Sequence, residues 1–172
     1  QGLLQGHLSA IHINHSLSKH SDSWEDHCKI FCRERNVDYQ SYVVNINIKK
    51  SGLESAARNA RYKIFQEALQ PNDQLLMAHH ADDVAETILF RLFRGTGLDG
   101  LQGPMKKRPL GKGVILRPLL GYSKADLSQY LSANNIEFIT DETNFDDHQD
   151  RNYIRNELLQ RASSRWPNAS LQ

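Results

Sequence analysis

Apolar positions alternate or run together over Leu8-Ser9-Ala10-Ile11-His12-Ile13, and the run ends on the polar tip Asn14-His15. That pattern predicts a strand. Trp24, Cys28, Phe31 and Cys32 then recur at helical spacing, predicting a helix capped by Ser21 or Asp22 and closed at Asn36. Tyr42-Val43-Val44-Asn45-Ile46-Asn47-Ile48 is β-branched and partly alternating, which predicts a second strand. Gly52 precedes a long helix carrying Leu53, Ala56, Ala57, Ala60, Ile64, Phe65, Ala68 and Leu69. After the breaker Gln70-Pro71-Asn72, the short apolar run Asp73 to Ala78 reads as a buried strand. Val84, Ile88, Leu89, Leu92 and Phe93 recur at helical spacing up to Gly95, which stands where a helix C-cap glycine belongs.

From Gly95 the texture changes. Gly95, Gly97, Gly100 and Gly103 punctuate a loop. Pro104 to Arg108 and Val114 to Arg117 flank Pro109-Leu110-Gly111-Lys112-Gly113, as in a hairpin or flap. Ser123-Lys124-Ala125-Asp126 opens a helix with a near capping box, Asp standing where Glu is usual. Ile136-Glu137-Phe138-Ile139 reads as a short strand, and a last helix begins near Arg151 with Tyr153, Ile154, Leu158 and Leu159. Strands alternating with helices across short connections predict the α/β class, with a parallel sheet and helices on both faces.

Gross composition narrows the function little. The chain's 172 residues fit one domain with a small extension, and 21 Lys plus Arg against 20 Asp plus Glu leave a formal charge of +1. Bulk electrostatics therefore selects neither nucleic acid nor membrane, and any polyanion site must come from local clustering. No apolar run approaches the ~20 residues of a membrane span, and no signal-peptide pattern opens the chain. Cys28 and Cys32 lie at i and i+4 on a predicted helix and read as small core residues of a cytoplasmic protein. The chain opens on Gln1-Gly2 in what reads as the middle of an element, as a fragment of a longer chain would.

Four groups carry candidate chemistry. His79-His80-Ala81-Asp82-Asp83 with Glu86 places carboxylates at the end of a strand and on the first turn of the next helix. Ligands of open α/β sheets gather at that edge, and Asp83 and Glu86, at i and i+3, share a helix face. Asp82 alone reads equally as an N-cap, but three carboxylates beside two imidazoles favour a cation site. The second group is Arg58 and Arg61, also at i and i+3, a spacing shared by solvated helix faces and phosphate clamps. In the third, Asp141-Glu142-Thr143-Asn144 precedes Asp150-Arg151-Asn152-Tyr153-Ile154-Arg155. Arginines in a first helical turn oppose the dipole, so an anionic partner explains them better than a cap. The fourth, Lys106-Lys107-Arg108 with Lys112 and Arg117, suits a nucleic-acid backbone and equally a solvated edge.

Together these passages resemble the N-terminal catalytic domain of the tRNA(Ile)-lysidine synthase family, within the N-type ATP pyrophosphatase (PP-loop) superfamily. The markers are His12-Ile13-Asn14-His15-Ser16-Leu17, Glu54 to Tyr62, His79 to Thr87, Arg94-Gly95-Thr96-Gly97 with Gly100-Leu101, Arg117-Pro118-Leu119-Leu120, and Asp141-Glu142-Thr143-Asn144 with Arg151-Asn152. They run from about Ala10 to Trp166. Ser16 replaces a usual glycine, and the superfamily's Ser-Gly-Gly-x-Asp-Ser phosphate loop, expected before Leu8, is not found in Gln1 to His7. The resemblance implies a Rossmann-like, adenine nucleotide alpha hydrolase-like fold truncated at its N-terminus. On this reading residues 1–150 are a PP-loop ATPase domain without its first strand-loop-helix unit. Residues 151–172 are a helical extension or the start of a linker, and the chain by itself is expected to be inactive.

The implied reaction uses ATP and Mg²⁺ to activate the wobble cytidine of a tRNA(Ile) with a CAU anticodon, then ligates free L-lysine to its C2. The family pattern places Asp83, Glu86 and Arg151 at the catalytic centre, with Asp83 also the metal ligand and Glu86 the residue assigned to lysine. It places Ile11, His12, Asn14, Arg58, Arg61 and His79 around the nucleotide. A cytoplasmic location and no membrane partner are expected, and a homodimer is compatible with the pattern. The alternatives are another PP-loop tRNA-modifying enzyme such as a thiolase, a non-catalytic tRNA-binding fragment, and a metal-dependent hydrolase. The last would use His12, His15, His79, His80 and Asp83 as ligands, although neighbours such as His79 and His80 on a strand face opposite ways.

Overall fold

The computed structural model describes residues 6–44, 53–146 and 148–166. Two compact units divide the chain, Gln1–Ala68 and Leu69–Gln172. Both are built from the α/β alternation that the hydrophobic pattern predicts.

In the first unit, β1 (Ser9–Asn14) pairs in parallel with β2 (Asp38–Val43), from Ser9 opposite Asp38 to Asn14 opposite Val43. The helix between them, α1 (Ser21–Glu34), buries Cys32. Its N-cap is His20 rather than Ser21 or Asp22, because the Asp22 carboxylate accepts a hydrogen bond from Asn14 at 3.2 Å. Asn36 closes the helix as expected: it takes a φ of 52°, and Val37 N–H reaches back to the Cys32 carbonyl at 2.9 Å. The second strand starts earlier than its β-branched residues suggest. Tyr39 and Ser41 are the half-buried positions of this strand, and the Tyr39 hydroxyl donates to the Glu25 carbonyl at 3.3 Å, so tertiary contact overrides propensity. Asn45 to Ile48 of the expected strand, with Gly52 and Asp147, lie outside the described residues. The long helix α2 (Leu53–Ala68) buries Phe65.

The second unit begins with a turn in which Asp73 N–H bonds the Gln70 carbonyl and Asn72 adopts φ 72°. Proline followed by a residue of positive φ is the signature of a type II turn. It launches β3 (Gln74–Leu76), which leads into α3 (Ala81–Phe93). Gly95, at φ 73°, ends α3, with Gly95 N–H on the Leu92 carbonyl and Thr96 N–H on the Arg91 carbonyl. This is the Schellman arrangement that the glycine's position predicts. The expected apolar face does not stay covered to the end of the helix, since Leu92 and Phe93 are exposed.

The predicted hairpin is present as β4 (Lys107–Leu110) and β5 (Gly113–Leu116), joined by the tight turn Gly111-Lys112 with Gly111 at φ 57°. Strand order is β3-β5-β4, with β5 parallel to β3 and antiparallel to β4. The central strand carries Ile115, which is fully buried. After α4 (Lys124–Ala133) the expected strand at Ile136–Ile139 does not form. No described strand pairs with it, and Phe138 and Ile139 remain exposed; an apolar run becomes a strand only where an edge accepts its ladder. The last helix is α5 (Asp150–Tyr153), widening to π geometry over Ile154–Leu159 and continuing as α6 (Gln160–Arg165), with Ile154 and Leu159 buried. Among the described residues no helix is long and apolar enough to cross a membrane.

The tightest backbone approach in this unit is at Gly113, where an added Cβ would lie 2.6 Å from the Asp73 carbonyl oxygen, itself the acceptor of the Val114 N–H. Gly113→Ala must therefore shift β5 away from β3, and is expected to destabilise the unit by about 1–3 kcal/mol. Gly121→Ala, whose Cβ would meet nothing within 4 Å, is expected to be neutral. Thermal or urea unfolding of the two variants side by side checks this, and equal midpoints would contradict the packing account.

Candidate active site at the carboxyl edge of β3

β3 delivers the chain to His79 and His80 at its carboxyl end, and His80 becomes the N-cap of α3. Asp83 closes the cap, accepting the His80 N–H at 2.9 Å. The His80 imidazole lies between two carboxylates, with Nδ1 3.4 Å from Asp82 and Nε2 3.5 Å from Asp83. One Asp83 oxygen is thus engaged within its own helix turn. The second takes no hydrogen bond from a described residue. Asp82 does act as a cap, but for a different helix: it accepts the Lys124 N–H at 2.7 Å, in the first turn of α4. That turn is already boxed by Ser123 and Asp126, as their spacing predicts.

One turn further along α3, Glu86 is only 4 % exposed. Its Oε2 accepts from Arg155 Nη2 at 2.6 Å and Nε at 3.0 Å, while Oε1 lies 3.9 Å from Arg151 Nε. The anion that the helix-terminal arginines call for is therefore supplied from within the unit. Arg155 also donates to Asn144 Oδ1 at 3.3 Å, and the Arg151 guanidinium sits 5.2 Å over the Phe90 ring. Burial pushes the Glu86 carboxyl above its ordinary pKa; Arg155 and Arg151 oppose this, and the neighbouring Asp83 adds to it. Buried Asn152 donates to the Thr143 and Asp146 carbonyls at 2.8 and 3.0 Å, so the Asp141–Asn144 turn is fastened to the helix that carries the arginines.

The other candidates lie in the first unit. Ile11, His12 and Asn14 are on β1, with Asn14 at its carboxyl end. The Asn14 side chain is consumed internally: its amide donates to Asp22 and Glu25, and its oxygen accepts from Ser16 N–H at 2.8 Å. Asn14's amide is also the main reason the Glu25 carboxyl titrates below its usual range. Ser16 stands at φ 51°, the left-handed conformation that favours glycine. His15 has its pKa lowered, first by burial, then by the positive charge of Arg61 and by His12, so it favours the neutral imidazole beside these two groups. Arg58 is exposed, its guanidinium 5.0 Å from the Tyr62 ring centroid.

The hairpin cations divide. Lys106, Lys107 and Lys112 are exposed, whereas Arg117 is buried and donates to the Met105 carbonyl at 2.7 Å, which corrects its expected place on a solvated edge or a nucleic-acid-facing surface. Among the described residues no group of His, Cys, Asp and Glu side chains is placed to enclose a metal. Mg²⁺ asks less of a protein, one or two carboxylates with phosphates and water completing its shell, and the second Asp83 oxygen fits that need. Sequence reasoning gave the helix-terminal arginines an anionic partner but did not single out Arg155 as the residue that binds Glu86, and it missed the Asp82–Lys124 bond. The spacing of Arg151 and Arg155, i and i+4 on one helix face, was the available signal for the former.

Residues 3–162 match the model of the PP-loop domain family. The chain is similar to the tRNA(Ile)-lysidine synthase of Coxiella burnetii, 43% identical over 161 residues, covering 93% of this chain and 36% of that protein. Its likeness to the tRNA(Ile)-lysidine synthase of Pseudomonas aeruginosa is 44% over 162 residues, covering 94% and 36%. It thus spans little more than a third of the length of these curated relatives. In fold it is similar to a U34-tRNA thiolase of Methanococcus maripaludis that carries an iron–sulfur cluster, with TM-score 0.69, 15% identity, and coverage of 95% of this chain and 59% of that one.

Removing Arg155 leaves Glu86 buried with only the more distant Arg151 as counter-charge. Arg155→Gln is expected to raise the Glu86 titration further and to destabilise the fold by about 1–3 kcal/mol. The sign follows from linkage. A carboxyl whose folded pKa is raised stabilises the fold fully below its unfolded value of 4.5, and that contribution is lost as pH rises through the folded value. The variant should therefore lose stability over a wider pH interval above 4.5 than wild type. Carbon-detected NMR titration of Glu86 checks this, and a midpoint that stays put or falls contradicts it.

Proposed function

The chain belongs to the PP-loop domain family, and on that premise we propose that it is the ATP-using catalytic part of a tRNA(Ile)-lysidine synthase. A PP-loop domain binds ATP. The finer reading is that the wobble cytidine of a CAU-anticodon tRNA(Ile) is the nucleophile, its C2 oxygen attacking the α-phosphate with release of pyrophosphate. The ε-amine of free lysine then attacks C2, AMP leaves with the C2 oxygen, and the amine gives up a proton. On this reading residues 1–150 form the PP-loop domain, residues 151–172 its helical extension, and the protein works in the cytoplasm.

The observation that carries the proposal is the meeting of acid and base in the second unit: Glu86, one turn after Asp83, is held by Arg155 and faced by Arg151. Asp83 and Glu86 give α3 an anionic face for the lysine ammonium, and Arg151 offers positive charge to the reacting phosphate. Arg155 fixes the Glu86 carboxylate so that its charge is not free to collapse onto Arg151. In the first unit, Arg61 beside His12 and His15, with Arg58 nearby on α2, offers positive charge to the nucleotide, and the β1 end at Ile11 to Asn14 suits it too. Mg²⁺, held by Asp83, would offset charge building on the phosphates.

The test is lysine incorporation by the full-length protein, with ATP, labelled L-lysine and tRNA(Ile) bearing a CAU anticodon. Asp83→Asn keeps an oxygen for the His80 cap but removes the charge, and is expected to lower kcat at least 100-fold with little change in melting temperature. Normal turnover by this variant would sink the assignment. Glu86→Gln is expected to raise the KM for lysine more than that for ATP, and equal increases would count against a lysine-facing carboxylate.

A further inference from the structure

The first turns of α3 and α4 exchange hydrogen bonds. Ala81 N–H, at the start of α3, donates to the Tyr122 carbonyl at 2.9 Å, and Lys124 N–H, at the start of α4, donates to Asp82 Oδ2 at 2.7 Å. The leading amide of each helix is an orphan donor, and here each is satisfied by the other helix's approach. Two helix N-termini at this distance bring two positive dipole ends together. The Asp82 carboxylate lies against both, within its own helix's first turn and on the first amide of α4, and so offsets their repulsion. Asp126 takes the Ser123 N–H and Ser123 takes the Asp126 N–H, while the Lys124 amide goes to Asp82.

We propose that Asp82 is a positioning residue: its bond to the Lys124 amide clamps the start of α3 to α4 and thereby fixes where Asp83 and Glu86 present their carboxylates. On this proposal Asp82 acts through the fold rather than on metal or lysine, although it stands beside Asp83 in the same acidic run. The reason is geometric. Asp83 follows it directly, and α3 has no other described side-chain anchor to α4, so rotation or sliding of the first turn moves Asp83 first. The proposal rests on the catalytic reading above for its consequence in turnover, while the clamp itself has a readout independent of that reading.

The experiment compares Asp82→Asn with Asp82→Ala in the full-length protein. Hydrogen–deuterium exchange of the peptide spanning residues 119–127 reads the clamp, and lysine incorporation reads its effect. In Asp82→Ala the peptide is expected to exchange at least 10-fold faster and kcat to fall at least 10-fold, with the KM for ATP changed less than 2-fold. Asp82→Asn, which retains an oxygen for the Lys124 amide, is expected to restore both protection and kcat to within about 3-fold of wild type, the residue of the loss being the charge–dipole part. An Asn variant that stays protected yet is as inactive as the Ala variant overturns the proposal, because the carboxylate's charge would then act on the substrate or metal directly. So does an Ala variant that loses protection but keeps full kcat. If wild-type protein incorporates no lysine, the lysidine reading falls, and unchanged exchange in Asp82→Ala would then refute the clamp on its own.

Discussion

A carboxylate buried as deeply as Glu86 keeps its charge only if cations come with it, and this requirement organises the second unit. Arg155 meets it at 2.6 Å, from a helix that begins more than sixty residues further along the chain. To bring that helix to α3, the intervening Asp141–Asn144 turn must be secured, and buried Asn152 secures it through the Thr143 and Asp146 carbonyls. Arg151 is carried along on the same helix face and comes to rest over Phe90. What looks like a run of separate motifs is one electrostatic arrangement with Glu86 at its centre.

The acidic run at the head of α3 divides its labour. Asp83 holds the His80 amide, Asp82 holds α4, and Glu86 holds the arginines. Each carboxylate has a structural partner, yet this does not exhaust them, since a carboxylate has two oxygens and several lone pairs. Asp83 combines a fixed backbone anchor with an oxygen left over, which is how a catalytic carboxylate is kept in one rotamer. The same economy is seen at the end of β1, where the Asn14 side chain ties the strand to α1 through Asp22 and Glu25 and shapes the loop at Ser16.

Some of this was legible in the order of residues and some was not. Glycine at the end of α3, asparagine after α1 and the Ser123–Asp126 box were readable because each depends on atoms a few residues apart. The strand at Ile136–Ile139 failed as a prediction for the opposite reason, since a strand depends on a neighbouring edge. Arg117 looked like a surface cation because charge is visible in the sequence, whereas its burial just past the end of β5, whose Ile115 is buried, is not.

By itself, the sequence determined the α/β alternation, the ends of α1 at Asn36 and of α3 at Gly95, the box at the head of α4 and the residue types of the candidate centre, all of which follow from periodicity and local hydrogen bonding. The tertiary structure alone decided which charge meets which. Asp82 finds an amide 42 residues away and Glu86 an arginine 69 residues away. Such pairs exist only once packing has brought helix starts and sheet edges together, because charge–charge and hydrogen-bond energies depend on distance in space and are indifferent to separation along the chain.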